Sequence, residues 1–187
     1  MDKFDKMDTE ELMEYIKDGR DDRIYAIAEL IRRDVDLGLI YNITKIDMFF
    51  LEKIKNIIKM EQVLKQNKND IEVLKQVKKQ GFSDKYIAKI WKKTEEDIYQ
   101  LRKQENIHPV YKMIDTCSSE FESYVPYFYS TYEEENESII SKKKKIIVLG
   151  AGPIRIGQGV EFDYSTVHAI QTIKEAGYEA IIINNNP

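Results

Sequence analysis

The chain has 187 residues, a formal net charge of -4 at neutral pH, 42% apolar and 33% charged residues. That composition fits a globular chain of one domain or a domain and a half rather than a disordered one, and its acidic balance argues against a dedicated nucleic-acid partner. No apolar run approaches the roughly 20 residues of a membrane span, the start Met-Asp-Lys-Phe-Asp-Lys is no secretory signal, and one cysteine with two histidines makes an internal disulfide impossible and a Cys/His metal site unexpected. A cytoplasmic setting, with neither membrane nor nucleic acid as partner, is the expectation.

Residues 1 to about 107 carry helical periodicity with start and stop signals. Asp8 caps a first helix with Leu12, Tyr15 and Ile16 on its apolar face; Asp8 and Glu11 have capping-box spacing, and Gly19 ends it. Asp21 or Asp22 opens a second helix, with Ile24, Ile27, Ala28 and Ile31 on one face, that runs to near Gly38. Thr44 with Asp47 opens a long third helix carrying Phe50, Ile54, Ile57, Ile58, Met60 and Leu64, which Asn67-Lys-Asn69 breaks. Asp70 starts a fourth helix with Ile71, Leu74 and Val77, stopped by Gly81. Ser83 caps a fifth that reaches Trp91, and Thr94 with Asp97 opens a sixth through Ile98 and Leu101.

The stretch from Gln80 to Leu101 has the outline of a helix-turn-helix. Its second helix would present Glu95-Glu96-Asp97 to DNA phosphates, which is the wrong sign of charge, so a packed helix pair with Trp91 in the core is expected. His108-Pro109 then breaks the helical pattern. Tyr111, Phe121, Tyr124, Tyr127, Phe128, Tyr129 and Tyr132 crowd the segment from about 108 to 140. It reads as an extended connector packed on the helical domain, because a free linker would not carry so many aromatic rings. Cys117 has no evident base beside it and reads as a structural thiol, and His108 as a turn or packing residue rather than a base.

A new unit begins after the charge runs Glu133-Glu-Glu135 and Lys142-Lys-Lys-Lys145, which read as solvated ends. The run Ile146-Ile-Val-Leu149 predicts a strand. Next comes a glycine loop with Gly150, Gly152, Gly157 and Gly159, then a helix from about Tyr164 to Ala176 with Gly177 as its C-cap, then a strand at Ala180-Ile-Ile-Ile183. This is a Rossmann-like βαβ unit with parallel strands built for cover on both faces. Two strands and one helix cannot supply that cover, so the unit is expected either to be the start of a larger domain, the favoured reading, or to pair with another chain. The loop lacks the third glycine of the dinucleotide fingerprint, where Arg155 falls, and the lysine of a P-loop, where Gln158 falls. Glu161 and Asp163 would line one polar wall if their segment is extended, or add charge to a helix N-terminus if it is helical.

Gly152-Pro-Ile-Arg-Ile-Gly-Gln-Gly-Val-Glu-Phe-Asp-Tyr-Ser-Thr-Val-His-Ala169, with Gly177-Tyr-Glu and Asn184-Asn-Asn-Pro187, resembles the large chain of carbamoyl phosphate synthetase. Ile46-Asp-Met-Phe-Phe-Leu51, Gly81-Phe-Ser-Asp and Pro109-Val-Tyr-Lys-Met-Ile-Asp-Thr-Cys117 resemble that family's helical oligomerisation domain, and Tyr129-Ser-Thr-Tyr-Glu-Glu-Glu135 its exit segment. The resemblance implies a mostly α helical oligomerisation domain over 1–140, with an aromatic-rich exit from about 108, followed over 141–187 by the start of a truncated α/β pre-ATP-grasp domain in the second, carbamate-phosphorylating half. It implies a parent ligase that makes carbamoyl phosphate from bicarbonate and glutamine-derived ammonia, with ATP and Mg²⁺ or Mn²⁺, in pyrimidine or arginine synthesis. The small glutamine-hydrolysing subunit and further copies of the large chain are its implied partners. By resemblance Gly159 and Glu161 border the carbamate tunnel; Ile154 and Ala151 depart from the family's usual Asn and Gly. No catalytic or metal-binding residue is implied within this stretch, and the chain alone is expected to be inactive. The alternative is a free-standing helical adaptor or helix-turn-helix regulator with an appended nucleotide-binding-type βαβ unit.

Overall fold

The computed structural model describes residues 3–115, 117, 120, 127–150 and 159–183, with the backbone alone for 159–163. The chain divides into two compact units, Met1–Ser138 and Ile139–Pro187. The first is mostly α-helical and the second is a small α/β unit, so the expected fold class holds.

Helix α1 (Thr9–Tyr15) starts where its capping box requires: Asp8 accepts from the Glu11 amide and the Glu11 carboxylate accepts from the Asp8 amide, both at 2.8 Å. Helix α2 (Arg23–Arg32) stops earlier than the sequence pattern suggests, at a left-handed Asp34 with φ 58°. Asp tolerates that conformation, and the turn closes with Val35 N–H donating to the Leu30 carbonyl at 3.1 Å. A separate helix α3 (Leu37–Thr44) follows, capped by Asp36. Gly38 therefore lies inside a helix instead of ending one. Thr44 closes α3, its hydroxyl donating to the Ile40 carbonyl at 2.8 Å, and Asp47 alone caps α4 (Met48–Gln66). The sequence reading fused α2 with the start of α3 because Asp34, an unfavoured stop, hid the break.

The later helices begin and end where expected. Helix α5 (Ile71–Lys79) is capped by Asp70, α6 (Asp84–Trp91) by Ser83, and α7 (Glu95–Gln104) by a second capping box between Thr94 and Asp97. Gly81 ends α5 at φ 84°, where a side chain would be strained. Phe82 N–H then donates to the Val77 carbonyl at 3.0 Å and buries its ring.

Two hydrophobic cores fill this unit. Leu12, Ile16, Ile27, Leu30, Ile40, Leu51 and Ile58 belong to the first. Leu64, Leu74, Val77, Ile87, Trp91 and Ile98 belong to the second. Trp91 is a core residue, as expected, with its indole N–H donating to the Leu64 carbonyl at 3.1 Å. Ile24, Phe50 and Ile57, assigned to buried faces by periodicity, are exposed instead.

The aromatic segment is not simply extended. Strands β1 (Val110–Met113) and β2 (Phe128–Thr131) pair antiparallel, and Tyr132 beyond them packs against the second core. Phe121 and Tyr124 lie outside the described residues. In the second unit, β3 (Lys145–Leu149) and β4 (Glu179–Ile183) pair in parallel, Lys145 opposite Glu179 and Leu149 opposite Ile183. Helix α8 (Gly159–Glu175) crosses between them and ends at Gly177, φ 83°.

Adjacent positions on α4 separate core from surface. Ile58 is 4% exposed and Ile57 48%. Ile58→Ala is expected to cost about 2–5 kcal/mol in urea unfolding, and Ile57→Ala less than about half of that.

Candidate functional site

The glycine loop joins β3 to α8 at the C-terminal end of a parallel pair, the position where open α/β sheets receive ligands. Gly150 leaves β3 with its amide donating to the Ile183 carbonyl at 2.8 Å, which ties the loop's start to the end of β4. Gly152 and Gly157 lie outside the described residues. Gly159 is the first residue of α8 and Glu161 the third, so the helix begins five residues before the expected Tyr164. Glu161 and Asp163 fall within the first five positions of that helix, and their side chains lie outside the described residues.

The strand faces of this unit carry large apolar side chains, and Ile147, Leu149 and Ile183 are more than half exposed. His168 stacks edge-on against Tyr164, ring centroids 4.3 Å apart. Among the described residues no three His, Cys, Asp or Glu side chains come together as a metal would need.

On the helical unit, α4 has a second apolar face turned outward. Phe49, Lys53 and Ile57 follow one another at four-residue steps, and Phe50 lies seven residues before Ile57. Phe49 and Phe50 are each 59% exposed and meet edge-on at 5.4 Å, with the Lys53 ammonium 4.9 Å above the Phe49 ring.

A buried ionic cluster holds the exit segment. Asp84, at the start of α6, accepts from Arg102 Nε at 3.0 Å on both oxygens and from Arg102 Nη2 at 2.5 Å. Lys78 Nζ donates to Asp84 at 2.8 Å and to the Phe82 carbonyl at 2.7 Å. Both cations lie over the Tyr132 ring, Lys78 at 4.8 Å and Arg102 at 5.5 Å from its centroid. Burial disfavours the Asp84 carboxylate, but its bonds to Arg102 and Lys78 outweigh that and hold its carboxyl below the ordinary value of 3.8. The sequence marks Tyr132 in the aromatic run and Asp84 in Gly81-Phe-Ser-Asp, neither for an ionic role, and does not mark Arg102. The one signal was Lys78 beside Val77 on the inward stripe of α5, where an apolar residue would be expected.

Residues 1–106 match the family model for the oligomerisation domain of the carbamoyl-phosphate synthetase large chain. Residues 142–187 match the model for the carbamoyl phosphate synthase pre-ATP-grasp domain. The chain belongs to the carbamoyl-phosphate synthetase large chain family. Its relatives by this match are ligase-type enzymes. The outward α4 stripe and the Asp84 cluster both fall in the oligomerisation-domain match, as does the helix-turn-helix-like pair α6–α7. The described part of the glycine loop falls in the pre-ATP-grasp match. His108 is exposed and lies in neither match; Cys117 lies there too, with its amide donating to Asp115 Oδ1 at 2.9 Å. No described helix is long and apolar enough to cross a membrane.

Asp84→Asn leaves two buried cations without their counter-charge, and is expected to cost about 3–5 kcal/mol in urea unfolding. A carboxyl whose folded pKa is depressed stabilises the fold above its unfolded value, and that stability is lost as pH falls through the folded value. Asp84 and Glu61 are both depressed, from 3.8 and 4.5. The urea midpoint of the unaltered chain should therefore drop on acidification below those values, and drop less steeply in Asp84→Asn.

Proposed function

We propose that this chain is the part of a carbamoyl phosphate synthetase large chain that joins its two synthetase halves and brings large chains together. The helical unit is the joining and self-associating element. The βαβ unit opens the second half, in which carbamate is phosphorylated. The parent enzyme then makes carbamoyl phosphate from bicarbonate and from ammonia released by a glutamine-hydrolysing partner subunit, using ATP with Mg²⁺ or Mn²⁺ in the cytoplasm. In this reading the loop glycines Gly150, Gly152, Gly157 and Gly159 form the turn into α8, and Gly159 and Glu161 border the carbamate route. No step of the chemistry is assigned to the described residues.

The observation that carries the self-association reading is the outward stripe of α4. A helix with its inward face already buried has no need of two exposed phenylalanines and an isoleucine on the other side. The order of the family matches, oligomerisation domain and then pre-ATP-grasp domain, supports the joining role.

Sedimentation equilibrium across a concentration series tests it. The chain is expected to associate with a single dissociation constant, and Phe49→Glu with Phe50→Glu to return it to a monomer with unchanged helical circular dichroism. A monomer at every concentration, or an oligomer indifferent to the two charges, would sink this assignment. The isolated chain, given carbamate and ATP, is expected to release no carbamoyl phosphate.

A further inference from the structure

The two cores of the helical unit share one helix. Of the buried side chains on α4, Leu51 and Ile58 enter the first core and Leu64 the second. Glu61 sits between them on the same stripe, three residues from both Ile58 and Leu64, and is only 5% exposed. A carboxylate at that position is costly unless it is paired. Its partners come from both sides of the boundary. Arg32 of α2 donates through Nη2 at 2.9 Å and Nε at 3.3 Å, and Arg32 also pairs with Glu29 at 3.2 Å. Lys65 donates at 2.5 Å. Tyr86 of α6 packs against the second core and lines the same groove as Arg32 and Glu61, a cleft of about 550 Å³. Burial and the Glu61 carboxylate push the Tyr86 hydroxyl up to about 12. Among the described residues no buried polar side-chain atom lacks a partner.

We propose that the cores are two separately closing bodies, α1–α3 with the first part of α4 and α5–α7 with its end, and that Glu61 is the joint through which they open and close together. Helices α2 and α6 each pack on α4, and the Arg32–Glu61–Tyr86 cluster is where charged and polar groups from both converge. The joint then sets the attitude of the Phe49–Phe50 stripe, carried by the first body, toward the Asp84–Arg102 anchor of the exit segment, carried by the second. Glu61 is a positioning residue in this account.

Hydrogen exchange of the full chain, read by mass spectrometry for α2 and α7 separately, tests the coupling. Asp84→Asn weakens the second body directly. With Glu61 present, it is expected to speed exchange in α7 and to carry over to α2, each by about tenfold or more. In the Glu61→Gln background the same Asp84→Asn change is expected to speed exchange in α7 and leave α2 within about twofold of Glu61→Gln alone. Three results would overturn the proposal: carry-over to α2 that persists without Glu61, no carry-over in its presence, or loss of all protection in Glu61→Gln. The last would mean that neither core closes by itself. A merely stabilising role for Glu61 would shift both helices without changing whether the Asp84 effect spreads.

Discussion

The helical unit depends on α4 burying the same stripe in two different cores. A helix of 19 residues is about 28 Å long at 1.5 Å per residue, further than one small core extends. Its inward positions, Leu51, Ile58 and Leu64, therefore meet different neighbours along the length: α2 and α3 first, then α5 and α6. Between the cores, where neither supplies apolar cover, the stripe carries a carboxylate and the neighbours supply cations. One long amphipathic helix thus makes a single unit from two clusters that would each be small.

Buried charge is a poor source of net stability and a good source of specificity. Both ionic clusters here sit where one arrangement must be chosen over others. Arg32–Glu61 fixes α2 against α4. Lys78–Asp84–Arg102 fixes the turn between α5 and α6 against α7, and its cations then hold the Tyr132 ring. Apolar replacements would pack as tightly without dictating the register. The exit segment needs that dictation most, since among the described residues β1 and β2 make a two-stranded sheet, which is marginal alone.

The βαβ unit follows a different logic. Its order comes from the parallel ladder of β3 and β4, from the Gly150–Ile183 bond that closes the strand ends, and from the glycine that ends α8. Its strands are apolar on both faces, which a parallel sheet uses when it is covered from both sides. That pattern agrees with the pre-ATP-grasp match and with a place inside a larger sheet.

Local chemistry was legible in the sequence. Asp8, Asp70, Ser83 and Thr94 start their helices because a short polar side chain beside a run of free amides accepts from them whatever the tertiary context. Gly81 and Gly177 end theirs at a positive φ, which glycine takes without strain. Trp91 reads as core for its size, and the helical-then-α/β order and the family follow from patterns and motifs carried in the chain itself. The faces did not follow. Periodicity placed Ile57 and Ile58 side by side on α4 without saying which one α2 covers, and it gave Phe50 to the core when Leu51 holds that place. The stop at Asp34 was hidden because an aspartate in the left-handed conformation marks a turn less plainly in a sequence than a glycine does. Arg32, Glu61, Asp84 and Arg102 are ordinary surface residues in a linear reading. They became the joints of the unit because partners separated by 29 and 18 positions in the chain meet in part-buried positions, where an unpaired charge is costlier than in water. That pairing exists only once the helices have packed.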